Sequence, residues 1–115
     1  MAAFDPIAHF ASTYAEARDK FLAAAHARGL APARHLHPVA RGAQGEELAV
    51  DVAALGPPDA GGVLLLTSGT HGAEGFCGSG CQVGLLHDDA FVAAVDDARV
   101  RVVLLHALNP YGFSH

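Results

Sequence analysis

Gly62-Val63-Leu64-Leu65-Leu66-Thr67-Ser68-Gly69-Thr70-His71-Gly72-Ala73-Glu74-Gly75 joins an apolar run to a glycine-rich turn that holds a histidine and a carboxylate three residues apart. The run 62–67 follows a Gly-Pro-rich break and shows no polar alternation, the pattern of a strand buried on both faces of a parallel sheet. Chain direction then puts His71 and Glu74 beyond the carboxyl end of that strand, where open α/β sheets gather their ligand sites. Imidazole nitrogen and carboxylate oxygen both suit zinc, and a catalytic zinc site takes three protein ligands and a water. His71 and Glu74 are candidates for two of those ligands. The plainer alternative is a glycine-rich strand-to-helix turn, with His71 solvated and Glu74 favouring the helix N-terminus.

Downstream, Val100-Arg101-Val102-Val103-Leu104-Leu105-His106-Ala107 repeats the buried-strand pattern and runs into Leu108-Asn109-Pro110-Tyr111-Gly112-Phe113, a turn. A helix between the two strands makes a βαβ unit whose loops open on one edge of the sheet. His71, Glu74 and Asn109 are then expected to face one crevice.

The pair GTHGAEG and, one crossover later, HALNPYGF resembles the zinc carboxypeptidase superfamily, most closely a bacterial branch of unknown function. The likeness spans roughly residues 60–115. It implies His71 and Glu74 as zinc ligands, and it matches Asn109, Pro110 and Gly112 to a family turn that does not bind metal. It also implies a third ligand, a histidine, and a general-base glutamate further along, with substrate-gripping arginine and asparagine residues just past His115. None of these has a counterpart in the 115 residues, so the chain is expected to be the amino-terminal part of such an enzyme, with zinc weakly bound or absent and little or no activity alone. The implied substrate is a peptide, or an N-acyl amino acid as in relatives sharing a GxHGxE loop. A non-catalytic fragment or interaction module is the competing expectation.

His106 and His115 are the nearest candidates for a substitute ligand, but His106 sits in a buried-strand pattern and reads as a hydrogen-bonded core residue, and His115 is at the chain end. His35 and His37 share one strand face, a chelating spacing that reads more simply as the exposed side of an edge strand stopped by Pro38. Cys77 and Cys81, four apart, share a helix face and read as reduced, buried small residues that let the helix sit close to the sheet. Nucleotide binding fits poorly. The glycines after Gly78 miss GxGxxG, Cys81 and Gln82 stand where a phosphate loop needs Lys and Ser/Thr, and Glu74 repels phosphate. Neither Ser68 nor Ser79 lies in a GxSxG elbow.

A net charge of −5 with 17% charged residues gives ample core material and no basic stripe, which argues against a nucleic-acid partner. Residues 1–41 hold five Lys+Arg against three Asp+Glu, and the rest two against nine, the scatter of solvated faces. No apolar run is long enough to span a membrane, and residues 1–10 lack an export signal, so a cytoplasmic location without membrane contact is expected.

A first helix is predicted from an Asp5 cap and Pro6, through Ile7, Phe10, Tyr14, Ala17, Phe21, Leu22 and Ala25, to Gly29. Two extended segments, 35–41 and 47–55, read as a hairpin. A second helix is predicted over 75–87 and a shorter one over 89–97, with Asp88, Asp89, Asp96 and Asp97 at helix ends or in solvent. The expected class is α/β: one domain with a mixed and mostly parallel sheet sandwiched by helices, which the resemblance implies is of zinc carboxypeptidase type. Such a sheet needs helices on both faces, and 115 residues ending just after a strand leave little for the second, so a raw carboxyl edge and self-association through it are expected.

Overall fold

The apolar run forms a strand, but at the rim of the sheet. The computed structural model describes residues 5–115; the reading of residues 1–10 lies in part outside them. After a 3-10 turn at Pro6–His9 come α1 (Tyr14–Ala27), β1 (Ala33–Arg41), β2 (Glu47–Leu55), β3 (Gly62–Thr67), α2 (Gly75–His87), α3 (Asp89–Ala98), β4 (Val100–His106) and α4 (Pro110–Ser114). The strands lie in the order β1-β2-β4-β3. β1 pairs with β2 and β2 with β4 antiparallel, so the mixed α/β class holds, but the sheet is not mostly parallel: among the described residues parallel pairing is confined to β3 and β4, and the last strand, β4, lies between two neighbours rather than forming a raw carboxyl edge.

The prediction that 62–67 is buried on both faces is corrected by that order. β3 has β4 on one side only, and Val63, Leu64 and Leu65 are 67%, 46% and 56% exposed. A run of aliphatic residues encodes avidity for burial, not the presence of a neighbour. In register with β4, Leu64 and Leu66 share a face with buried Val102 and Leu104, whereas Val63 and Leu65 share the other with half-buried Arg101 and Val103.

The helices pack on the first of these faces. Phe21, Ala24 and Ala25 of α1, Val83 and Leu86 of α2 and Val95 of α3 bury against Ala53 and Leu55 of β2 and Val102 and Leu104 of β4. A second cluster of Tyr14, Ala17, Leu48, Ala107 and Phe113 lies at the end of the sheet where the loops open.

The first helix is shorter than predicted. Asp5 does cap, and Pro6 does begin, a helical segment, but it is the single 3-10 turn; α1 starts afresh at Tyr14. Thr13 Oγ1 accepts from Glu16 N, and Glu16 reaches back to Ser12 N at 3.3 Å, a close variant of the capping box. At the far end Leu30 N donates to Ala25 O and Gly29 N to His26 O, a Schellman closure. The helices over 75–87 and 89–98 fall where predicted, with Asp88 capping α3 through Ala90 N and Phe91 N.

The hairpin also stands, with one correction: Pro38 does not stop β1. Between the pairs Leu36–Ala49 and Arg41–Glu47 the strand bulges, and His37 Nδ1 accepts from Ala40 N at 2.9 Å and Val39 N at 3.3 Å in place of ladder partners. His35 and His37 are exposed on this edge strand, as expected. No helix among the described residues is long and apolar enough to cross a membrane.

Candidate metal loop and adjoining cleft

Parallel pairing of β3 with β4 carries over into the loops that follow. Ser68 N donates to Leu105 O, Leu108 N to Ser68 O at 2.8 Å and Asn109 N to Gly69 O at 2.8 Å, so the two turns are bonded together. A buried side-chain network fixes their base. Ser68 Oγ accepts from Ala107 N and donates to Gln82 Oε1, while Gln82 Nε2 donates to Leu66 O and Leu105 O. Every polar atom of this network has a partner, which makes burial of Gln82 tolerable. Ala107 adopts a positive φ of 61°, an uncommon choice for a residue with a Cβ, at the point where β4 turns into the second loop.

The two motifs meet above this base. Asn109 Oδ1 accepts from Gly112 N, and Asn109 Nδ2 donates to the His71 carbonyl at 3.4 Å. Any Cβ on Gly112 would collide with that same carbonyl. Gly69, at φ 64°, leaves space that Phe113 and the Ala107 backbone fill. The motif glycines thus allow one loop to seat in the other.

His71 and Glu74 both lie exposed on the first loop. Glu74 Oε1 accepts from Gly72 N at 2.9 Å. Its own backbone N–H and that of Gly72, with the nearby His71 ring, hold the carboxyl below the ordinary carboxylate range. Nitrogen and oxygen donors of the type zinc takes are therefore present on one short loop. No group of three or more His, Cys, Asp or Glu is gathered for a metal among the described residues. His106 is wholly buried, its Nε2 2.8 Å from Ser79 Oγ and its ring stacked on Phe21. His115 stacks on Tyr111, with Nε2 3.2 Å from Arg41 O.

Cys77 and Cys81 are free, as read, but exposed rather than buried. The inward side of α2 is formed instead by Ser79, Gln82, Val83 and Leu86. Identical i,i+4 spacing marks a shared face without telling which side of the helix the sheet lies on.

Beside the loop opens a cleft of about 440 Å³, between the start of α1, the β1–β2 turn and α4, with Gly72 and Ala73 on its border. Tyr14, Phe76 and Phe113 line it, and so does Glu46. The sequence reading passed over Gln82, Ser79, Arg18, Asp51 and Glu46 as working parts. Gln82 and Ser79 leave a trace, as polar residues on the side of α2 that also carries Val83 and Leu86.

Residues 10–115 match the family described as protein of unknown function, DUF2817. The chain belongs to the DUF2817 family. That match takes in both motif loops, α1 and the hairpin, so the DUF2817 region includes every wall of the cleft. No curated protein and no solved structure matches the chain.

Proposed function

We propose that this chain supplies two metal ligands, His71 and Glu74, to a zinc-dependent hydrolase of metallocarboxypeptidase type acting on peptide or amide bonds. The observation that supports it is the docking of the His71–Glu74 loop onto the Asn109-capped start of α4 at the carboxyl end of the parallel pair β3 and β4. The donor types suit zinc, and the set on the described residues is short of the three a catalytic site uses. A bound zinc ion would act as a Lewis acid on the scissile carbonyl. The contribution of the chain's own residues is to present the His71 ring and a Glu74 carboxylate already held ionised and hydrogen-bonded to Gly72.

Calorimetric titration with zinc at neutral pH tests this. Weak binding is expected, reduced at least about tenfold, or about 1.4 kcal/mol, by His71→Ala and again by Glu74→Gln. Binding unaffected by either substitution would remove the proposal's basis.

An interaction module is the second reading, favoured by the bare edge of β3 with its exposed Val63, Leu64 and Leu65. It predicts concentration-dependent dimers in sedimentation that Leu65→Lys disperses; a wild-type monomer at all concentrations would count against it.

A further inference from the structure

We propose that the cleft beside the His71 loop binds a ligand group bearing a primary ammonium on an alkyl chain, with Glu46 as its counter-ion and Tyr14, Phe76 and Phe113 as its aromatic wall. About 440 Å³ is the size of a small-molecule site, and such sites combine an apolar lining with few fixed polar groups. The wall is rigid. Phe113 packs edge-on against both Tyr14, with centroids 5.4 Å apart, and Phe76, at 4.8 Å. Tyr14 is tied down by exchanging hydrogen bonds with the Ala49 backbone. Aromatic faces attract cations and alkyl chains alike.

Glu46 supplies the sign. Its Oε1 accepts from Ser114 Oγ at 2.5 Å and its Oε2 from Gln44 N at 3.2 Å, on a turn closed by Gly42 N to Glu46 O. A carboxylate offers about four acceptor positions, so these two bonds orient it without exhausting it. Glu47, Asp51, Glu16, Asp89 and Asp59 each pair with an arginine or lysine, whereas no arginine or lysine among the described residues pairs with Glu46 or lines the cleft; His115 does line it, with its Nε2 3.2 Å from the Arg41 carbonyl. The start of α1, which would favour an anion, is capped by Thr13 and offset by Glu16. A held, half-buried carboxylate over an aromatic floor is the complement of an alkylammonium ion.

Gly72 and Ala73 border the cleft, so the bound group would lie next to the candidate metal loop. In that respect alone the inference rests on the proposed hydrolase, and it specifies a substrate with a lysine-like side chain or end.

The test uses the zinc-free chain and amide-resolved NMR titration with Nα-acetyl-lysine amide, its neutral norleucine isostere and the glutamate analogue. The lysine probe is expected to shift Gly72, Ala73, Phe76 and Ser114 saturably, with norleucine and glutamate at least tenfold weaker. Glu46→Gln, nearly isosteric and still an acceptor for Ser114, should abolish the preference while its spectrum stays folded. Equal or better binding of either other probe, a preference surviving Glu46→Gln, or no saturable shift at these amides would overturn the proposal. Because zinc is absent, failure here leaves the His71 titration untouched, and failure of that titration leaves the cleft untouched.

Discussion

Arg18→Met is expected to destabilise the chain by roughly 3–5 kcal/mol, the range seen when one partner of a buried ion pair is removed. Asp51 is wholly buried in β2 and receives Arg18 Nε at 2.7 Å and Nη2 at 3.2 Å. Loss of the guanidinium leaves a carboxylate in the core without its counter-charge. The reverse change, Asp51→Asn, should cost less, because Arg18 keeps Glu47 at 3.1 Å and reaches the surface there. Hydrogen bonding to Asp51 raises the Arg18 pKa further above its ordinary value, so the guanidinium stays charged through the neutral range. Urea denaturation of the two variants checks the order. Since small domains have only about 5–15 kcal/mol in total, Arg18→Met should unfold at markedly lower urea. An Arg18→Met effect smaller than that of Asp51→Asn would contradict this account.

The second large effect is loss of stability in mild acid, traced to His106. Burial pushes its pKa down to about 4 from an ordinary 6.5, with Asp51, its register partner on β2, opposing the shift in part. Its Nε2 lies 2.8 Å from Ser79 Oγ, and its Nδ1 is buried without a hydrogen-bond partner among the described residues. Between pH 6.5 and about 4 the unfolded chain takes up a proton that the folded chain does not. The contribution is therefore complete above about pH 6.5 and is lost as pH falls through that window, to the order of 3 kcal/mol. His106→Gln should be less stable at neutral pH but flatter in acid. Carboxylates titrate in both proteins, so the difference between the two stability curves isolates the ring. Parallel curves from pH 4 to 7 would rule His106 out as the source.

Local structure was largely written in local signals. The turn residues 42–46, the Asp88 cap and the Gly29 stop place the hairpin, α3 and the end of α1 without any tertiary information. Where two local signals competed, apolar spacing at Ile7 and Phe10 suggested one long helix, but the Thr13–Glu16 cap started α1 later. The Thr13-x-x-Glu16 cap is legible in the sequence, and a hydrogen-bonded start signal fixes a helix boundary that apolar periodicity cannot. The bulge at Pro38 was half legible: proline removes a ladder donor, but only the β2 register shows that the strand resumes.

By itself, then, the sequence determined most of the element types, the strand-to-loop address of His71 and Glu74, and the pairing of that loop with the Asn109 segment, because adjacent strands joined by a helical crossover bring successive loops to one edge; the tract read as a turn at 108–113 is in fact capped by Asn109 into the short helix α4. Only the tertiary structure decided that β3 is an exposed edge, that Cys77 and Cys81 face outward, and that Arg18 meets Asp51 across α1 and β2. It alone brought Glu46, Ser114 and three aromatic rings around one cleft. Periodicity reports which residues share a face, while burial, charge pairing and cleft formation depend on what that face meets, and those partners come from distant parts of the chain.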